Sequence, residues 1–140
     1  VLISSFDPAS YDGERLTAFV DISEKSPFYD AGIDGVPAVM ALEYMAQTMA
    51  ALVGLKRRRM RLKPRIGFVL GSRSLKVDVD RFRNSERYRV EVKMDFTDGA
   101  FASFDARIFS ADGSVAAEGR LSAFEPEEED VEKLKKGTTV

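Results

Sequence analysis

Leu16, Ala18, Val20 and Ile22 alternate with Thr17, Phe19 and Asp21. A period of two predicts a strand with one buried face. Before it, Val1 to Phe6 reads as a first strand, followed by Asp7-Pro8 and the turn residues Asp12-Gly13. A loop over 23–36 holds Pro27, Gly32 and Gly35. The pattern then changes. From Ala38 to Leu55 the chain is almost continuously apolar and meets no helix breaker before Gly54. Its richness in Ala, Leu and Met predicts a helix, with Pro37 in the first turn, where a missing N–H costs nothing. Cations from Lys56 to Lys63 suit the C-terminal end of the helix dipole. Because the helix is apolar on nearly every side, it is expected to be covered all round.

Beyond Pro64 the alternation of strands returns. Ile66 to Leu70 and Leu75 to Val79 read as halves of one long strand bent at Gly71. Val90, Val92, Met94 and Phe96 share one face of a strand over 89–96, and Asp98-Gly99 is a hairpin signal. Ala102, Phe104, Ala106 and Ile108 mark the next strand, Asp112-Gly113 another hairpin, and Val115 to Phe124 the last strand. Many inward positions are small (Ala102, Ala106, Ala117, Gly119, Ala123), which lets a sheet wrap closely around something thick. Two strands, one long helix and an antiparallel meander define an α+β chain. The arrangement expected is the hotdog fold, a long central helix wrapped by a curved antiparallel sheet. Residues 1–125 form that domain, and residues 126–140 a charged tail outside the core. A lone sheet over one helix leaves an open side and edge strands, so pairing with a second, related subunit is expected, as a homodimer or a heterodimer.

Length changes little in this picture: 140 residues suit one domain with a real core. A net charge of −2 argues against a general nucleic-acid binder. The absence of both cysteine and histidine matters more. It closes disulfide and thiolate chemistry, serine-histidine-aspartate and cysteine-histidine mechanisms, and the commonest metal ligand, so no metal is expected. No phosphate-cradling glycine loop or dinucleotide fingerprint appears either, and no cofactor is expected. No signal-peptide pattern is visible at this N-terminus, and a cytoplasmic protein is expected. The apolar run borders on the length of a membrane span. Glu43, Tyr44, Gln47 and Thr48 interrupt it, however, and a carboxylate at mid-bilayer costs roughly 2.5–3.5 kcal/mol. No membrane span is expected.

Glu43 is the one charge between Ala38 and Leu55. It stands four residues before Gln47, on the same helix face, and the stripe continues to the small residues Ala50 and Gly54. A carboxylate within such a helix is expected to be desolvated and raised in pKa towards the range useful for proton transfer. The alternative is a structural Glu held by backbone N–H groups or by an arginine from the partner subunit.

Pro27-Phe28-Tyr29, Pro37-Ala38-Val39 and Glu43-Tyr44-Met45-Ala46-Gln47 together resemble the 3-hydroxyacyl-acyl-carrier-protein dehydratases. Gly67 to Gly71 is similar to the strand that follows the helix in that family. The resemblance implies removal of water from a 3-hydroxyacyl thioester of fatty-acid or polyene biosynthesis. It implies Glu43 as the acid, Gln47 as its positioning partner, and the amides of Ala38 and Val39 as the carbonyl clamp. The family's histidine falls on Gly32 counting forward from Pro27-Phe28, or on Tyr29 counting back from Glu43, and both are taken as substrate-binding positions. Without that histidine four arrangements stand open. Glu43 serves both proton transfers, Asp30 or Asp34 acts as base, a related subunit supplies the histidine, or catalysis is lost and the acyl tunnel retained. The narrower likeness is to the histidine-poor dehydratase-like proteins of aryl-polyene pathways.

Lys56, Arg57, Arg58, Arg59, Arg61 and Lys63 are either a solvated helix end or a docking patch for an acyl carrier protein with its phosphopantetheine phosphate. Met40, Met45, Met49, Phe68 and Phe104 fit an acyl tunnel and ordinary core equally well. Two rivals to dehydration remain on the same fold. One is thioester hydrolysis, which needs only a carboxylate; the other is a non-catalytic acyl-binding subunit.

Overall fold

The computed structural model describes residues 2–61, 69–98 and 101–124, without the side chains of residues 69, 70 and 73. The elements are β1 (Ser5–Asp7), β2 (Arg15–Asp21), β3 (Gly35–Pro37), α1 (Ala41–Arg59), β4 (Val69–Val77), β5 (Arg81–Arg83), β6 (Arg87–Asp98), β7 (Phe101–Phe109) and β8 (Val115–Phe124). Six strands form one antiparallel sheet in the order β1-β2-β6-β7-β8-β4. β3 and β5 form a separate antiparallel pair. One helix lying on one face of this sheet is the hotdog fold the pattern predicts.

Alternation builds the core directly. Leu16, Ala18 and Val20 of β2 stand cross-strand from Val92, Val90 and Tyr88 of β6. Val90, Val92 and Met94 in turn face Ile108, Ala106 and Phe104 of β7. Onto this surface α1 lays Ala41, Tyr44, Met45, Met49 and Leu52, all buried, as is Met40 just before the helix. Thr48, the buried polar residue among them, donates its hydroxyl to the Tyr44 carbonyl one turn back. By length and composition the helix could cross a membrane, but in this fold its apolar side chains serve the sheet.

Several expectations are corrected. The first strand is three residues long, Ser5–Asp7, because only these pair with β2. Pro37 ends β3, and Ala38–Met40 form a 3-10 turn before α1 begins at Ala41. The predicted loop over 23–36 contains β3, which pairs with β5 near the helix start. Phe82 of β5 is fully buried between Tyr44 and Tyr88, in edge-on contacts of 5.2 and 4.9 Å, and pins this small sheet to the core. The irregularity in β4 lies between Ser72 and Ser74, where its register with β8 shifts, and not at Gly71. Asp112-Gly113 does turn the chain, with Gly113 at a φ of +87°. Lys63, Gly67, Phe68, the turn residues Gly99 and Ala100, and the tail over 126–140 lie outside the described residues.

The largest correction concerns α1. It is covered on one side only. Val39 before it, then Glu43, Ala50 and Gly54, are exposed, with Ala46 and Gln47 half-buried between them. This spacing of 39, 43, 46, 50 and 54 is a helical stripe. Alanine and glycine count as apolar in the sequence yet here line the uncovered side.

Candidate active site

Glu43 stands one turn into α1 on the uncovered stripe, four residues beyond Val39, which is 78% exposed. The desolvated setting expected for Glu43 is therefore not found within this chain. Among the described residues no hydrogen bond or ion pair reaches its carboxylate, so a Glu held by backbone amides of this chain is not found there either. An acidic residue in the first turn also meets the positive end of the helix dipole. The geometry leaves a carboxylate beside the 3-10 turn of Ala38 and Val39, on a face with room to receive something.

Among the described residues Gln47 makes no hydrogen bond to Glu43. Its Oε1 accepts the backbone N–H of Leu2 at 2.6 Å and of Ile3 at 3.4 Å, tying the N-terminal segment to the middle of the helix. The partners are more than forty residues away in sequence, and no spacing rule on the helix could have found them.

The loop before the helix is closely hydrogen-bonded. Asp30 and Gly35 form a bridge, with Asp30 N–H donating to the Gly35 carbonyl at 2.8 Å. The Asp30 carboxylate accepts the Gly32 N–H at 2.8 Å. Tyr29 donates its hydroxyl to Asp34 at 2.6 Å, and Asn84 donates its side-chain amide to the same oxygen at 3.0 Å. Asn84 N–H also donates to the Asp34 carbonyl, so this clasp ties the loop to the turn after β5. Gly32 is exposed and Tyr29 half-buried. The hydrogen bonds from Tyr29 and Asn84 hold the Asp34 carboxyl below its ordinary value, which makes it a weaker base, not a stronger one. The same bond to Asp34 pushes the Tyr29 phenol up to about 12. Neither group is tuned for proton abstraction near neutrality.

These opposite shifts set a pH window. The depressed Asp34 contributes stability that is present above its unfolded value near 3.8 and is lost as pH falls through the folded value. The raised Tyr29 contributes stability present below 10 and lost as pH rises through about 12. Tyr29→Phe is therefore expected to melt slightly below the wild type from pH 5 to 9, with the gap narrowing below pH 4 and above pH 10. Thermal melts across pH check this, and a gap that stays constant at both extremes contradicts it.

At the far end of α1 the cations are partly engaged. Lys56 lies 3.7 Å from the Met94 sulfur, and the Arg59 guanidinium sits 4.6 Å above the Tyr11 ring. Arg58, Arg59 and Arg61 are exposed and Arg57 is half-buried. Thirteen residues separate Glu43 from Lys56, roughly 20 Å at the α-helical rise. Surface pockets of 290, 410 and 600 Å³ lie elsewhere, and Glu43 lines none of these three.

A single long helix packed against a six-stranded antiparallel sheet places the chain in the hotdog-fold class. Within that class the chain belongs to the ApeP-like family, described as ApeP dehydratase, whose model matches residues 2–136. Among solved structures, the chain is similar to the dehydratase heterocomplex ApeI:P from Xenorhabdus doucetiae. The two are 23% identical, with 96% of this chain and 88% of that chain covered and a TM-score of 0.84. It is also similar in fold to AziG from S. sahachiroi, at 12% identity over 86% of this chain and 89% of that chain, with a TM-score of 0.65. A hypothetical thioesterase protein with coenzyme A from Streptococcus pneumoniae TIGR4 shares the fold at 7% identity, 89% and 88% coverage and a TM-score of 0.65. Among curated proteins no sequence matches the chain.

Proposed function

We propose that this chain is the Glu43-bearing half of a 3-hydroxyacyl-thioester dehydratase of fatty-acid or polyene biosynthesis, and that a related hotdog subunit completes its site. One observation carries the reading: Glu43 is exposed on the uncovered stripe of α1, with no hydrogen-bond or ion-pair partner among the described residues, in a chain without histidine. A second subunit lying on that stripe would take the carboxylate out of water and enclose it with the substrate. It would also bring the base this chain lacks. That the solved ApeI:P structure is a heterocomplex supports the pairing.

In this scheme the thioester carbonyl accepts N–H groups from the 3-10 turn of Ala38 and Val39, which lowers the cost of charge developing on its oxygen. The partner's base takes the proton from the carbon next to the carbonyl. The electron pair of that C–H bond forms the new double bond, and the C–O bond to the 3-hydroxyl breaks. Glu43 gives its proton to the departing oxygen, and water leaves. Transfer of a proton from the base back to Glu43 restores the site. Lys56, Arg57, Arg58, Arg59, Arg61 and Lys63 would dock an acidic acyl carrier protein, with its phosphopantetheine arm laid along α1 towards Glu43. Gly32 and Tyr29, on the clasped loop, would form the wall of the substrate slot. A cytoplasmic location fits such a carrier-dependent step.

The test is to incubate the chain, alone and with a histidine-bearing hotdog subunit, with a 3-hydroxyacyl carrier protein and to follow the enoyl thioester. Enoyl product is expected only from the pair. Equal turnover by the chain alone would remove the need for a base in trans, and free thiol without enoyl product would make the protein a hydrolase.

A further inference from the structure

Ser26, Pro27, Phe28 and Tyr29 form a four-residue turn closed by Tyr29 N–H donating to the Ser26 carbonyl at 3.0 Å. Phe28, its third residue, has a φ of +66°. Proline in second place and a positive φ in third are the marks of a type II turn, where the third position normally belongs to glycine or asparagine. A phenylalanine there pays the left-handed penalty of its Cβ. Packing among the described residues does little to offset it, since Phe28 is 66% exposed. Nor is the turn loose. Ser26 N–H donates to the Ser23 carbonyl at 3.0 Å, the Ser26 hydroxyl accepts Ser23 N–H at 2.9 Å, and Tyr29 is held by Asp34 on the other side. A rigid frame thus presents an unpacked aromatic ring to the outside.

The frame also fixes where that ring stands. The Asp30–Gly35 bridge sets the two arms of the loop side by side, and two residues from it on either arm are Phe28 and Pro37. The bridge thus joins the arm that carries Phe28 to the arm that leads through Pro37 into the 3-10 turn, whose Val39 is the most exposed large apolar residue described in the chain. An acyl group that sets its carbonyl on this turn and its 3-hydroxyl beside Glu43 would meet the exposed Val39, and Phe28 is the exposed ring on the arm bridged to it. We infer that Phe28 is a substrate-contacting, specificity-determining residue, held in a strained backbone so that its ring flanks the acyl group of the thioester at the start of α1. The inference rests on the proposed acyl-thioester site but not on the chemistry performed there.

Strain and contact predict opposite effects of one substitution, which makes the inference testable. Phe28→Gly and Phe28→Ala are compared with the wild type, each in complex with a histidine-bearing hotdog subunit. The probe is a 3-hydroxyoctanoyl pantetheine analogue with an amide in place of the thioester, so that binding is read without reaction. Phe28→Gly is expected to melt no lower than the wild type and above Phe28→Ala, because glycine removes the left-handed penalty and alanine keeps it. Both variants should bind the probe about 10-fold or more weakly, with the complex intact by size-exclusion chromatography. Unchanged probe affinity overturns the inference. So does a lower melting temperature for Phe28→Gly, which would make the ring a packing residue, and so does loss of pairing, which would make it a subunit anchor. If the wild-type complex forms no enoyl product yet binds the probe and loses it on Phe28→Gly, the dehydratase reading fails and this inference stands.

Discussion

Glu43→Gln in the complete complex is expected to lower kcat for enoyl formation by about 10²-fold or more with little change in KM, the range set by losing a positioned general acid. Glutamine keeps the length and nearly the shape of the side chain and removes the proton that the leaving hydroxyl needs. Since no hydrogen bond or ion pair within the described residues reaches Glu43, the substitution breaks none of these, and the variant should melt like the wild type. That pairing of lost turnover with kept stability separates an acid from a structural carboxylate. Turnover within twofold of the wild type would remove Glu43 from the chemistry. A large drop in melting temperature would show that the carboxylate supports the subunit contact instead.

How far the sequence foretells this molecule depends on the range of the forces involved. Strand β8 runs from Val115 to Phe124 as predicted, because ten residues of alternation bounded by Asp112-Gly113 leave little choice. β3 and β5 are three residues each, too short for a period to show, and the signal that might have revealed them is an isolated apolar Phe82 among charges. The helix itself is legible, but its surroundings are not. A run such as Ala38 to Leu55 looks the same whether its second face meets its own sheet or another subunit, because alanine and glycine suit both. Glu43 stood out as the single charge in that run; its exposure, and the use of Gln47 to hold Leu2 and Ile3, depend on where distant backbone comes to rest.

The dependence of the site on the small β3–β5 sheet gives the largest stability effect expected here. Gly35 opposes Arg83 in that pair and stands where the loop turns into the start of the helix. A Cβ at Gly35 would lie 2.3 Å from the carbonyl oxygen of Phe82 and 3.2 Å from its carbonyl carbon. These are backbone atoms of a residue whose ring is locked between Tyr44 and Tyr88, so they cannot swing away as a flexible side chain could. Gly35→Ala must therefore pull β3 from β5 or displace Phe82 from the core. Overpacking of this kind costs about 3 kcal/mol, or roughly 10 °C in melting temperature for a chain of this size. The same change moves Pro37 and the Ala38–Met40 turn, so probe binding should weaken even well below the melting transition. Gly54→Ala is the control, since a Cβ there meets nothing within 4 Å in the isolated chain, and the isolated chain should melt at or above the wild-type temperature. If Gly35→Ala melts within 2 °C of the wild type, the close approach of these two strands is not what fixes the loop against the helix start.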